Sequence, residues 1–376
     1  MSRTSLLIIS FSAIRSDARV LKQVQEFSRD YDVTTCGYGE RPDGVVDHVR
    51  LPDDAAAWRY DKPSVVLRRF RRAYWTNPAV AAAWPLLDGR RFDVVLANDV
   101  DTVPIALRLA PAKGVHADLH EYAPKQKEDV LVWRLFLGPL MTWLVRRAVT
   151  RADSVTTVGQ GIADEYRRVF GVDAGVVTNA APYVEAAPGP VGDPIRLVHS
   201  GAGLRDRNIL ALVEAVEAAS SRVTLDLYLT ENDPTLIAEL RERRSERVTL
   251  HPPVPYVELS ATLNGYDVGI HALPPTSFNN RWALPNKLFD YVQARLGVLI
   301  GPSPEMAAIV ERHGIGAVAR GFAVADLTDA IDRMDAETVR RWKAASDGAA
   351  HELSSATQVA VWRRAIDALA AQPGSA

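Results

Sequence analysis

The sequence predicts an α/β protein made of two doubly wound, Rossmann-like lobes facing a central cleft. Short apolar runs of strand length alternate with amphipathic helical patterns throughout, which is the signature of parallel sheets covered by helices. At 376 residues the chain is too long for one ordinary core. The small, Pro/Gly-rich stretch Ala186 to Gly192 lies between two such series and reads as a linker.

The first series opens with the strand Leu6 to Ile9. Asp17 then stands before an amphipathic run with Val20, Leu21, Val24 and Phe27 on one face, and Val33 to Thr35 returns as a strand. Val94 to Ala97 and Val155 to Val158 continue the set. The second series contains Ile195 to His199, Thr224 to Leu229, Val248 to Leu250, Val268 to Ile270 and Val298 to Ile300. Gln358 to Ala371 closes the chain as an amphipathic helix whose apolar face carries Trp362, and we expect it to pack back on the first lobe. The expected divisions are 1–185, 193–354 and 355–376.

Composition excludes several classes. With 47% hydrophobic residues, 24% charged residues and a net charge of -2, nothing suggests a nucleic-acid binder. Cys36 is the single cysteine, so neither a disulfide framework nor a cysteine metal cluster is available, and a reducing, cytoplasmic location is expected. The apolar run Leu6 to Ile9 is too short for a signal-peptide core, and Leu135 to Val145 is too short to span a bilayer. Ser10 to Ala18 contains no glycine, which argues against a nicotinamide or flavin dinucleotide.

The most informative stretch is Ala283-Leu284-Pro285-Asn286-Lys287-Leu288-Phe289-Asp290-Tyr291. Pro285 and Asn286 suit a helix start, with Asn286 as cap and Gly297 closing the helix. Lys287 would then add an ammonium to the unpaired amides of that start, a combination suited to a diphosphate. Asp290, one turn on, suits the paired hydroxyls of a ribose. A second candidate is the turn Ser200 to Asn208. Gly201 and Gly203 allow close backbone approach there, and Arg205 or Arg207 offers a bidentate clamp on a departing diphosphate. Asp99-Val100-Asp101 has the form of a metal-binding pair, but Pro104 follows in the first turn of a helix, so capping by Asp101 or Thr102 is the expected role.

Taken in order, Ile8 to Ser12 with Arg15 to Leu21, Asn98 to Thr102, Asp118-Leu119-His120-Glu121, Ala152 to Val155, Val177 to Ala180 and Pro285 to Tyr291 resemble a glycosyltransferase of the two-domain GT-B type, in the family 4-like group of retaining enzymes. The resemblance implies a nucleotide-sugar lobe at 193–354 and an acceptor-side lobe at 1–185. It implies catalytic roles for His120, Lys287 and Arg205 or Arg207. Donor contacts would come from Gly201, Gly203, Asn286, Asp290, Asn280 and Arg281, and the acceptor side from Asp99, Asp118, Glu121, Ser12 and Arg15. The group usually carries a Glu seven residues before its second carboxylate. Here Asp290 takes the second place and Trp282 stands at the first, with Asn279, Asn280 or Arg281 as substitutes.

The implied donor is a nucleoside-diphosphate sugar, UDP first, with a carbohydrate, lipid-linked or small-molecule acceptor. Neither a metal nor another cofactor is expected. An inactive nucleotide-sugar-binding protein and a sugar-nucleotide epimerase are the alternatives. Arg59, Lys62, Arg68, Arg69, Arg71 and Arg72 lie near a single acid, Asp61, interleaved with Val65, Val66, Leu67, Phe70, Tyr74 and Trp75; Arg134, Arg146 and Arg147 follow in a second basic helix. Such a face suits an anionic membrane at the inner side, a solvated surface, or a grip on the acceptor.

Overall fold

The computed structural model describes residues 3–243 and 245–373, which divide into two compact units. The first contains residues up to 178 with 277–279 and 358–373, and the second contains 179–276 with 280–357.

The first unit is a sheet of seven strands: β1 (Ser5–Ala13), β2 (Asp32–Tyr38), β3 (Asp47–Arg50), β4 (Val94–Asn98), β5 (Gly114–Leu119), β6 (Ser154–Thr157) and β7 (Ala174–Val176). Their order is β3-β2-β1-β4-β5-β6-β7, and every pairing is parallel. The order reverses between β1 and β4, which opens a crevice at their carboxyl ends. Helix Ala18–Phe27 begins where the sequence indicated, because the Asp17 carboxylate accepts from the amides of Arg19 and Val20. Its buried Val20, Val24 and Phe27 share a core with Leu6, Ile8, Val94 and Leu96. Trp362, Ile366 and Leu369 of the helix Ser355–Ala370 join the same core.

The second unit holds β8 (Ile195–Ala202), β9 (Val223–Thr230), β10 (Val248–His251), β11 (Val268–His271), β12 (Gly297–Ile300) and β13 (Gly316–Val318). The order β10-β9-β8-β11-β12-β13, again all parallel, places the switch point between β8 and β11. Both sheets are therefore wound as the alternating pattern requires.

Three local expectations are corrected. Pro285, not Asn286, occupies the cap position of helix Asn286–Gln293, and no side chain caps it, because Asn286 is already the first helical residue. That helix ends at Ala294, and Gly297 opens β12, where a Cβ would approach the Trp342 ring to 3.0 Å. Thr102 precedes helix Val103–Leu109 without a side-chain cap bond, since its hydroxyl instead donates back to the carbonyls of Asn98 and Asp99. Asp101 accepts from the Tyr60 hydroxyl at 2.9 Å.

Candidate functional site

In the second unit, helix Asn286–Gln293 is seated by its apolar face. Leu288, Phe289, Tyr291 and Val292 are buried, and the Tyr291 ring lies so close to Gly269 of β11 that a Cβ at 269 would approach it to 2.2 Å. The helix start is thereby held over the carboxyl ends of β8 and β11. Lys287 reaches from it across Gly201, whose φ of +130° and lack of a side chain let the ammonium stand where a Cβ would lie 2.3 Å away. Among the described residues the half-buried Lys287 ammonium makes no hydrogen bond or ion pair. Burial and the neighbouring Arg207 guanidinium depress its pKa, against an opposing pull from Asp290.

Arg205 and Arg207 part company. Arg205 is bound to Glu239 at 2.8 Å, with Asp233 at 3.5 Å, so its charge is spent on neighbouring carboxylates. Arg207 has only a loose pairing with Asp206 at 3.5 Å and acts electrostatically on Lys287 and His271. The two arginines bracket a single 3-10 turn ended by Asn208 at φ 59°, whose side-chain amide donates to the Phe322 carbonyl.

Beneath these cations lies a pair of histidines that the sequence reading did not single out. His199 and His271 stack with ring centroids 5.6 Å apart. His199 Nδ1 lies 2.8 Å from the Ile270 carbonyl, which can only accept, so Nδ1 carries the proton and Nε2 is the bare nitrogen of a neutral ring. Among the described residues, that Nε2 and both ring nitrogens of His271 are buried without a hydrogen-bond partner. Burial and then Lys287 push His199 down to about 3, and His271 is held well below the usual imidazole range by burial, Lys287, His199 and Arg207. Both imidazoles are therefore neutral, and the positive charge of the cluster rests on Lys287 and Arg207. The available signal was a histidine at the carboxyl end of two apolar strands.

Other second-unit candidates stand apart from this cluster to different degrees. Asp290 is buried and accepts from the Tyr256 hydroxyl at 3.4 Å. Gly203 packs under the Thr230 carbonyl, to which its amide donates at 3.1 Å. Asn280 bonds Thr276, and the Arg281 guanidinium lies 5.6 Å from the Trp282 ring. Asn286 is exposed on the first helical turn.

The first unit gathers its polar residues at the carboxyl ends of β4 and β5. Asp118 is fully buried and accepts from Arg19 at 2.8 and 2.7 Å, from Gln23 at 2.7 Å and from Thr156 at 2.6 Å. Burial would raise its pKa, but Arg19 and His120 hold it well below the carboxylate range. Asp99 has φ 63°, a strained setting for a side chain other than glycine. Its carboxylate accepts from the His120 amide at 3.0 Å and lies 3.2 Å from His120 Nδ1. His120 Nε2 approaches Asn98 at 3.2 Å and Asp118 at 3.6 Å. Burial lowers the His120 pKa, yet Asp99 and Asp118 outweigh it and leave it raised.

Glu121 is exposed and accepts from the Asn279 amide at 3.3 Å, while Asn279 Oδ1 accepts from the Tyr122 amide at 2.9 Å. Ser12 pairs with Ser10, and exposed Arg15 with Glu40. Asp118 is thus a buried anchor with its oxygens engaged, and Asp99 and His120 are the members of the group that reach the surface. Among the described residues no group of three or more His, Cys, Asp or Glu side chains converges as a metal site.

Two Rossmann-like units, each built on a parallel sheet with one switch point, define the GT-B class of fold. Solved structures with this fold match over nearly the whole chain. HepE of Anabaena in complex with UDP and glucose matches with TM-score 0.68 and 11% identity, covering 97% of this chain and 100% of that one. Sucrose-phosphate synthase of Thermosynechococcus elongatus matches with TM-score 0.67 and 13% identity over 97% and 100%. A UDP-forming α,α-trehalose-phosphate synthase of Burkholderia vietnamiensis matches with TM-score 0.67 and 13% identity over 99% and 100%. The family model for Glycosyltransferase Family 4 matches residues 19–180, and with the fold it supports a transferase. No curated protein sequence matches the chain.

Proposed function

We propose that the protein is a retaining, hexosyl-transferring glycosyltransferase that takes its sugar from a nucleoside-diphosphate donor, UDP before other bases. The observation that carries this reading is the Lys287 ammonium poised over Gly201, beside Arg207 and above two neutral histidines with unpartnered ring nitrogens. A diphosphate would answer the two cations, and the amides of the Asn286–Gln293 helix start add their own attraction for anions.

In this reading the bond between the sugar's anomeric carbon and the phosphate oxygen breaks with its electron pair going to the diphosphate. Charge then grows where Lys287 and Arg207 stand, so fixed cations stabilise the departure. An acceptor hydroxyl attacks the oxocarbenium-like carbon from the same face, and its proton passes to the departing phosphate oxygen. Asp290 is assigned to the ribose, and His120 on the first unit to the sugar. The acceptor is a carbohydrate, a lipid-linked glycan or a small molecule, and no metal is required.

Calorimetric titration with nucleoside diphosphates, followed by transfer and hydrolysis assays with UDP-glucose, tests the reading. Binding of UDP that is lost in Lys287→Ala supports it, and no binding of any nucleoside diphosphate sinks it. Chelator that abolishes turnover, restored by a divalent ion, overturns metal independence.

Trp282 at the place of the first carboxylate favours a second reading, a nucleotide-sugar-binding protein without turnover. Binding without hydrolysis or transfer selects it. An epimerase would convert the donor without acceptor, which NMR of the products detects. No helix among the described residues is long and apolar enough to cross a membrane.

A further inference from the structure

The first unit carries a groove of about 1240 Å³ lined by Arg68, Arg69, Arg71, Arg72, Arg108, Arg147 and Arg151, with Phe70, Trp75 and Trp143 among its walls and no carboxylate in its lining. A smaller hollow of about 480 Å³ shares Arg68, Phe70 and Trp143 with it and adds Arg134 and Arg146. All nine arginines are exposed, and among the described residues none forms an ion pair with a carboxylate. The contrast with the rest of the chain is physical: Arg15, Arg90, Arg167, Arg222 and Arg241 are also on the surface, yet each has a carboxylate within 2.9 Å. Arg108 is held instead over the Trp75 and Trp84 rings, at 4.5 and 4.1 Å.

Beside this charge lies apolar surface of a kind a soluble face does not need. The short helix Lys62–Val66 packs against the π-helical turn Trp133–Leu137. Between them these segments and their flanks expose Val66 (55%), Leu67 (61%), Val132 (67%) and Leu135 (53%). Clustered guanidinium groups repel one another unless an anion stands among them, and exposed aliphatic side chains gain only if they leave water. A surface of negatively charged headgroups above acyl chains satisfies both at once; a soluble polyanion satisfies only the first.

We propose that this groove and its aliphatic flank form a docking surface for an anionic lipid bilayer. Arginine contacts phosphate headgroups, with the Phe70 and Trp143 rings at headgroup depth and Leu67, Val132 and Leu135 entering the acyl boundary. The inference stands apart from the nucleotide site, and its test does not depend on turnover.

The whole protein is floated with phosphatidylcholine vesicles with and without phosphatidylglycerol, at low and high salt. Binding that requires phosphatidylglycerol and weakens with salt is expected. Each Arg→Ala change at Arg71, Arg147 or Arg151 should weaken partition about fivefold, as a surface charge near such a membrane contributes. Leu67→Ser with Leu135→Ser should also weaken it while leaving UDP binding and the thermal midpoint unchanged. Equal flotation with both vesicle types overturns the proposal. Loss of charge dependence only, with the serine variants binding like wild type, identifies a soluble phosphate ligand instead and equally overturns the bilayer. Displacement from vesicles by millimolar pyrophosphate that the serine variants do not alter has the same meaning.

Discussion

Arg19 meets Asp118 through two hydrogen bonds, Nε to Oδ2 at 2.8 Å and Nη2 to Oδ1 at 2.7 Å, with both side chains almost sealed from water. The Arg19 guanidinium also lies 4.7 Å from the Trp362 ring, and its Nη1 donates to the Val177 carbonyl. A buried pair of this kind is costly to break from one side, because the remaining charge stays desolvated. Asp118→Asn should therefore lower the unfolding free energy by about 3–5 kcal/mol. Urea denaturation measures it, and a loss indistinguishable from zero would show that the pair is not what anchors β5.

Gly201 is the second test. A methyl group there would occupy the space of the Lys287 ammonium and sit on a backbone at φ +130°. Gly201→Ala should cost about 1–3 kcal/mol of stability from backbone strain. It should also reduce UDP affinity at least tenfold by displacing the lysine. Calorimetry on the folded variant reads the second effect separately, and unchanged affinity would remove Lys287 from the diphosphate.

The two arginines of the 3-10 turn give a paired prediction. Arg207→Ala should weaken UDP binding by about 1.5–3 kcal/mol, as loss of a charged hydrogen bond does. Arg205→Ala, whose guanidinium is already bound to Glu239 and Asp233, should leave affinity within about twofold. Equal losses in both variants would contradict the division of roles.

Asp101 supplies a pH test. Burial, opposed by the Tyr60 hydroxyl and reinforced by Asp99, raises its carboxyl from 3.8 to about 6. A group whose folded pKa is raised contributes stability that is complete below its unfolded value and lost as pH climbs through the folded one. Stability assigned to Asp101 should thus decline between about pH 4 and pH 6. Asp101→Asn, still able to accept from Tyr60, should flatten that decline. Unfolding curves at pH 4 and pH 7 for both proteins decide the matter.

The central strands were legible because parallel strands buried on both faces read as unbroken apolar runs, as in Leu6 to Ile9 and Val298 to Ile300. The outer strands β3, β7 and β13 were not, since Asp47-His48-Val49-Arg50, Ala174-Gly175-Val176 and Gly316-Ala317-Val318 are short and carry little apolar pattern at a sheet edge. The apolar face of helix Ala18–Phe27 was visible, but buried Arg19 and Gln23 were not, because only the distant Asp118 explains a charge at a core position. Lys287 and Gly201 were each visible as candidates, while their superposition required the Tyr291 ring to seat the helix on Gly269. His199 and His271 lie about seventy residues apart, and only the parallel pairing of β8 with β11 stacks them.

Trp362, Ile366 and Leu369 complete a core otherwise built from residues between Leu6 and Val177. During synthesis, β1 and β4 emerge about 340 and about 260 residues before the helix that covers them, so the nascent sheet must persist with one apolar flank open to solvent or a chaperone. Fragments ending near residue 178 should for the same reason aggregate unless a peptide spanning 355–373 is supplied in trans.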